Sequence, residues 1–132
     1  EAILVDTKPE NIEALFSAVG CGQTTKRRYG SVIAVKPECL EEYKRLHAAV
    51  WPTVLKTIYE CNLRNYSIYF KDGYLFSYYE YVGTDYEADM AKMAADPETQ
   101  RWWDVCMPCQ QPLETRADGE WWADMEEVFH TD

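Results

Sequence analysis

Apolar positions along the chain fall into short segments of two periods, separated by proline, glycine and acidic turn residues. Tyr29 to Val35 is apolar and β-branched and reads as a strand. Pro37 then opens a helical stretch from Glu38 to about Val50. Within it Leu40, Tyr43, His47 and Val50 share one side. Pro52 either kinks that helix or starts a second one. Asn62 to Phe70, rich in Tyr and Ile, reads as a strand. Asp72-Gly73 signals a hairpin, and Tyr74 to Val82 is the returning strand. Thr84 can cap a helix running to about Ala94. Asp96-Pro97-Glu98 caps another, carrying Thr99 to Val105. A loop holding Pro108, Pro112 and Gly119 follows, and Trp122 to Phe129 reads as a closing strand.

The resulting order, β-α-β-β-α-β, predicts an α+β fold: a ferredoxin-like antiparallel sheet with helices on one face. Strict alternation sends Tyr66, Ile68 and Phe70 to one face and Asn65, Ser67 and Tyr69 to the other. Aromatics on both faces leave one aromatic surface without helices, and such a surface usually meets a partner. A homodimer with two sheets facing each other, a dimeric α+β barrel, is therefore expected. Residues 1–26 differ in character. Ile3 to Val5 reads as a short strand, and Pro9 to Ala18 as a helix ended by Gly20-Cys21-Gly22. Such a segment is too short to fold alone, so it is expected to be an N-terminal extension packing on a domain of residues 27–132.

Charge narrows the function classes. The 132 residues include 23 acidic and 13 basic side chains, for a net charge of −10. A nucleic-acid partner or an anionic membrane surface would call for a basic face, so neither is expected. No stretch approaches the ~18 apolar residues of a membrane span. The opening Glu1-Ala2-Ile3-Leu4-Val5-Asp6 lacks the basic start and long apolar run of a signal peptide. Five cysteines, an odd count, favour free thiols in a reducing compartment, and the chain is expected to be cytoplasmic. Cys106-Met107-Pro108-Cys109 has C-x-x-C spacing without a second ligand pair, and the histidines are His47 and His130 alone. No metal and no cofactor are expected.

Ten Tyr, five Trp and four Phe exceed the needs of a core and suit a monosaccharide pocket, because the C–H faces of a sugar pack on aromatic rings. Tyr43 and His47, four apart, point two polar tips toward the buried side, where each needs a partner. They form either a core histidine bonded to a tyrosine or a carbonyl, or a proton-transfer site. In Arg101-Trp102-Trp103 the adjacent rings lie about 100° apart on a helix, so one turns away from the core. That ring is a sugar platform or a subunit contact. Trp121-Trp122 reads as packing on opposite faces of a strand. Glu80, inside an aromatic strand, needs a partner such as Arg64 or Arg101 and is the candidate second acid/base group.

Glu42-Tyr43-Lys44-Arg45-Leu46-His47 leads to Val50-Trp51-Pro52, then Asn65-Tyr66-Ser67-Ile68-Tyr69. Gln100-Arg101-Trp102-Trp103, Met107-Pro108 and Glu126-Glu127-Val128-Phe129 follow. In this order, from about Tyr29 to Phe129, the motifs resemble the L-rhamnose mutarotase family. The resemblance implies a ferredoxin-like homodimeric isomerase that interconverts the α and β anomers of L-rhamnose by ring opening and closure. By the same resemblance His47 is the proton donor, Tyr43 and Tyr66 touch the sugar, and the paired tryptophans fall on Trp102 and Trp103. Departures lie before Lys26, at His130 and in the loop from Cys109 to Trp121, so another 6-deoxy sugar such as L-fucose is an alternative substrate. Two rival readings share the fold: a cofactor-free or haem-degrading monooxygenase, and a non-catalytic sugar-binding domain.

Overall fold

The computed structural model describes residues 26–132; the strand and helix expected within residues 1–26 lie outside them. Strand β1 (Arg27–Val35) leads through a 3₁₀ turn at Pro37–Cys39 into α1 (Leu40–His47) and α2 (Pro52–Glu60). Strands β2 (Leu63–Lys71) and β3 (Tyr74–Tyr81) form the hairpin, followed by α3 (Tyr86–Ala95) and α4 (Pro97–Cys106). A second 3₁₀ turn and two short strands, β4 (Gln110–Gln111) and β5 (Ala123–Asp124), close the described chain.

The sheet runs β2-β3-β1-β4, with β5 also pairing β1, and every pairing is antiparallel. Two interleaved strand–helix–strand units generate this order, so the ferredoxin-like α+β expectation holds. Each helical connection is a pair of helices. Pro52 starts a second helix because Trp51 before it is held extended, at ψ 133, the conformation a following proline imposes. The cap of α3 falls one residue later than expected: Asp85, not Thr84, accepts the Ala88 N–H at 3.1 Å. Asp96 caps α4 as anticipated, accepting from Thr99 N and Thr99 Oγ1.

The core lies between the sheet and the helices. Ile33, Val35, Leu46, Val54, Leu75 and Trp102 form its main part, and Cys61, Leu63, Tyr81 and Met93 a second cluster. The fully buried Tyr81 donates to Asp89 Oδ2 at 2.5 Å and accepts from Asp85 N at 2.9 Å, tying β3 to the start of α3.

Two departures from the sequence reading shape the molecule. The first is a β-bulge. Arg64 pairs with Glu80 but Ser67 with Tyr78, so β2 carries one extra residue, and Asn65 takes φ 52 to accommodate it. Leu63 and Tyr66, three apart, therefore both serve the helix side, where strict alternation would separate them. The second is the closing strand, which spans Ala123–Asp124 and not Trp122 to Phe129. Its ladder ends where Met125 N–H reaches Gly30 O at 2.8 Å. Beyond that the tail is held by the Arg28–Glu127 ion pair, and Val128 and Phe129 are 86% and 78% exposed. A Cβ at Gly30 would sit 3.1 Å from Cε, the flexible end of the Met125 side chain.

The outer sheet face carries Val32, Tyr74, Phe76 and Tyr78 together with the exposed Tyr69, and no described helix covers it. Among the described residues no helix is long and apolar enough to cross a membrane.

Candidate active site

A cavity of about 440 Å³ opens on the helix side of the sheet, and His47, Tyr43, Tyr66, Trp102 and Trp103 all line it. The helical spacing of Tyr43 and His47 on α1 stacks their rings, with centroids 4.2 Å apart and planes at 23°. The Trp102 ring packs edge-on to His47 at 5.2 Å, and Trp51 packs edge-on to Trp102 at the same separation. His47 is thus clamped between its own helix and α4.

One hydrogen bond fixes the tautomer of the neutral His47 ring. Its Nδ1 lies 2.9 Å from the Tyr43 carbonyl oxygen, which can only accept. Nδ1 therefore carries the hydrogen, and Nε2 holds the lone pair of the neutral ring. Burial lowers the imidazole's pKa, and the Tyr43 carbonyl opposes that shift in part. Burial thus favours the uncharged ring, with its lone pair on Nε2.

Tyr43 is 4% exposed. Its hydroxyl oxygen accepts from Gln110 Nε2 at 3.1 Å, and Gln110 Oε1 in turn accepts from Trp121 Nε1–H at 2.7 Å. Burial raises the Tyr43 pKa, and the Gln110 N–H, which favours phenolate, pulls it back. Burial pushes the Tyr66 hydroxyl up to about 12 and the Cys106 thiol likewise to about 12.

The two tryptophans of α4 divide as the helix geometry requires. Trp102 is 6% exposed and belongs to the core, whereas Trp103 is 37% exposed and turns a free face to the cavity. Ile58, Leu63, Met90 and Met93 form an apolar part of the wall, and the Ser31 and Ser77 hydroxyls, 2.6 Å apart, a polar part.

Glu80 does not reach this site. It sits on the outer face, where Tyr78 Oη donates to it at 2.7 Å, Asn65 Nδ2 at 2.9 Å, and Lys26 pairs with it at 3.6 Å. Tyr78, then Asn65, hold its carboxyl below the usual range. The alternation of β3 explains the placement: Tyr79 and Tyr81 take the helix side, and Glu80 between them is turned outward. Neither arginine expected as its partner serves it. Arg64 donates to the Tyr59 and Leu63 carbonyls, and Arg101 pairs with Glu98. Trp121 and Trp122 also differ from expectation, since both line the cavity. Trp121 precedes β5, so strand alternation does not govern it.

Sequence reasoning missed Gln110, Trp121 as a hydrogen-bond donor, and Asp124, the one carboxyl among the described lining residues. Burial, then Glu120, raises the Asp124 pKa. Period-two spacing from Trp122 was the available signal for Asp124. Nothing local marks Gln110, which arrives through the pairing of β4 with Val35. Cys39, Cys61, Cys106 and Cys109 are free thiols, and the described residues contain no cluster of three or more potential metal ligands.

A family model described as L-rhamnose mutarotase matches residues 28–131. Among similar proteins, the L-rhamnose mutarotase of Opitutus terrae is 34% identical over 111 residues, covering 80% of this chain and 98% of the relative. That of Bacillus subtilis is 32% identical, covering 80% and 99%. Among solved structures, an L-rhamnose mutarotase from Formosa agariphila superposes with a TM-score of 0.63 at 20% identity, over 80% of this chain and 99% of the other. Tetracenomycin F2 cyclase from Streptomyces glaucescens scores 0.62 at 14% identity, over 80% and 97%. At these identities the two structures share the fold alone.

Proposed function

Because the chain belongs to the L-rhamnose mutarotase family, we propose that its cavity interconverts the α and β anomers of L-rhamnose, with His47 and Tyr43 exchanging protons with one hemiacetal. The observation that carries this reading is the stacked Tyr43–His47 pair, which sets a basic nitrogen beside a phenol in one cavity wall.

In ring opening, His47 Nε2 takes the proton of the anomeric hydroxyl while Tyr43 gives its proton to the ring oxygen. The C1–O5 bond breaks, O1 becomes the aldehyde oxygen, and O5 leaves as a hydroxyl. Rotation about C1–C2 presents the other carbonyl face. On closure O5 returns its proton to Tyr43 and bonds to C1, and the His47 imidazolium donates to O1. His47 is thus the acceptor of one half-reaction and the donor of the other. Only protons pass between protein and sugar, and no oxidation state changes, so the chemistry calls for neither metal nor redox cofactor. Each positioned proton-transfer group typically contributes ~10²–10⁴-fold.

Trp103 offers an aromatic face to the pyranose, and Tyr66 a hydroxyl. The 6-methyl group fits the apolar wall of Ile58, Leu63, Met90 and Met93. L-Fucose, which shares that methyl, is the alternative substrate. Residues 27–132 form the catalytic domain. The uncovered aromatic sheet face, with Tyr69, Tyr74 and Phe76, supports a homodimer joined face to face. The free thiols suit the cytoplasm.

The test is saturation-difference proton NMR on equilibrated L-rhamnose. Saturating one anomeric proton should drain the other only when the protein is present. Exchange no faster than in buffer, for rhamnose and for fucose, would overturn the assignment.

A further inference from the structure

We propose that Gln110 and Trp121 form a relay that fixes the direction of the Tyr43 hydroxyl proton, making both positioning residues for the reaction. The inference rests on the mutarotase reading of the cavity.

The argument is one of donors and acceptors. An indole N–H only donates, so the Gln110 atom 2.7 Å from Trp121 Nε1 must be the amide oxygen. The other end of the amide, its NH₂, therefore faces Tyr43 Oη at 3.1 Å and only donates. Tyr43 must accept there, and its own hydrogen is excluded from that direction. Gln110 is 6% exposed, so no bulk solvent competes for the geometry. Since Tyr43 lines the cavity, its proton is left to a ligand.

This polarity matches a hemiacetal. The ring oxygen carries no hydrogen and can only accept, which suits an outward-pointing Tyr43 O–H. The anomeric hydroxyl can donate, which suits the lone pair on His47 Nε2. Reversing the Gln110 amide would offer Tyr43 a carbonyl, draw its proton away from the sugar, and place two acceptors before the hemiacetal. Trp121 is what forbids the reversal. The loop joining β4 to β5 thereby acts on the chemistry without touching the reacting atoms.

The experiment measures anomer exchange for wild type, Gln110→Glu, Trp121→Phe and Tyr43→Phe, and for the first two changes combined with Tyr43→Phe. Exchange by wild type tests the parent reading separately; its absence overturns that reading and the relay with it. Given wild-type activity, the carboxylate of Gln110→Glu can only accept and pulls the Tyr43 proton inward. Turnover should fall about 10²-fold with a smaller change in KM. Trp121→Phe keeps the ring packing but frees the amide, and should cost about 3–10-fold, the worth of one hydrogen bond. In the Tyr43→Phe background neither change should lower the rate further, because no proton remains to direct. A purely structural role would instead multiply the losses. Rates within threefold of wild type for Gln110→Glu, or multiplicative losses, overturn the relay. If Gln110→Glu fails to fold by near-UV circular dichroism, the Trp121→Phe pair decides, since its part-exposed ring makes that change mild: an unchanged rate, or a loss that persists in the Tyr43→Phe background, overturns the relay.

Discussion

Replacing His47 by alanine removes the one basic side chain among the described residues that line the cavity. Losing a positioned proton-transfer group lowers turnover by about 10²–10⁴-fold. At ~1.36 kcal/mol per tenfold this is about 2.7–5.4 kcal/mol of barrier. The folded state loses the stack on Tyr43 and the edge contact with Trp102, each worth ~0.5–1.5 kcal/mol. A combined loss of about 1–3 kcal/mol lowers Tm by about 4–12 °C in a domain of this size, so an assay at room temperature still samples folded enzyme. Saturation-difference NMR gives the exchange rate, and thermal unfolding gives the stability. Added imidazole, fitting the vacated space, should restore part of the rate. Exchange at the wild-type rate by a folded His47→Ala protein would sink the assignment, whatever its stability.

Three further outcomes follow from the geometry. The exchange rate should fall on acidification as His47 takes a proton and ceases to be a base. Because burial lowers its pKa, the half-maximal point should lie below the 6.5 of an unperturbed imidazole, with no matching loss on the alkaline side to about pH 9, since burial raises Tyr43; a midpoint above 7 would contradict this. Trp103→Ala should raise the KM for rhamnose about 5–10-fold with little change in Tm, whereas Trp102→Ala should cost ~3–5 kcal/mol in denaturant unfolding, and equal stability losses would show that exposure does not separate their roles. Tyr81→Phe removes the acceptor of the Asp85 N–H and one of the two donors to Asp89 Oδ2, the other being Asn62 Nδ2, and should cost about 1–3 kcal/mol in urea unfolding without altering exchange.

The elements announced by periodicity and turn chemistry were legible. Whereas Pro52 left a kink and a second helix both open, the hairpin at Asp72-Gly73, the proline that starts α4 and the Asp96 cap depended on neighbours in the chain. So did the inward side of α1, which puts Tyr43 and His47 on the cavity wall. What depended on distant pairing was not legible. Glu80 looked functional because β3 carries aromatics on both faces, so alternation alone did not say which face the helices cover. Gln110 looked ordinary because only the short β4 ladder brings it beneath Tyr43. The closing strand was over-read because its apolar residues suggested a longer ladder, whereas pairing with β1 stops at Asp124 and Met125 N–H, although β1 itself runs back to Arg27.

The extra residue in β2 makes the enzyme's identity a matter of spacing as well as composition. Delete Asn65 and the two tyrosine-rich strands regain perfect alternation. Every residue implicated in catalysis remains present, yet Tyr66 and Ile68 must either leave the cavity or drag Leu63 out of the core. Among diverged descendants of this fold, a sequence could keep the whole set of motif letters and still have lost this cavity through one missing codon. Counting the positions between the end of α2 and the tyrosine of β2 distinguishes such a chain where a comparison of residue types would not.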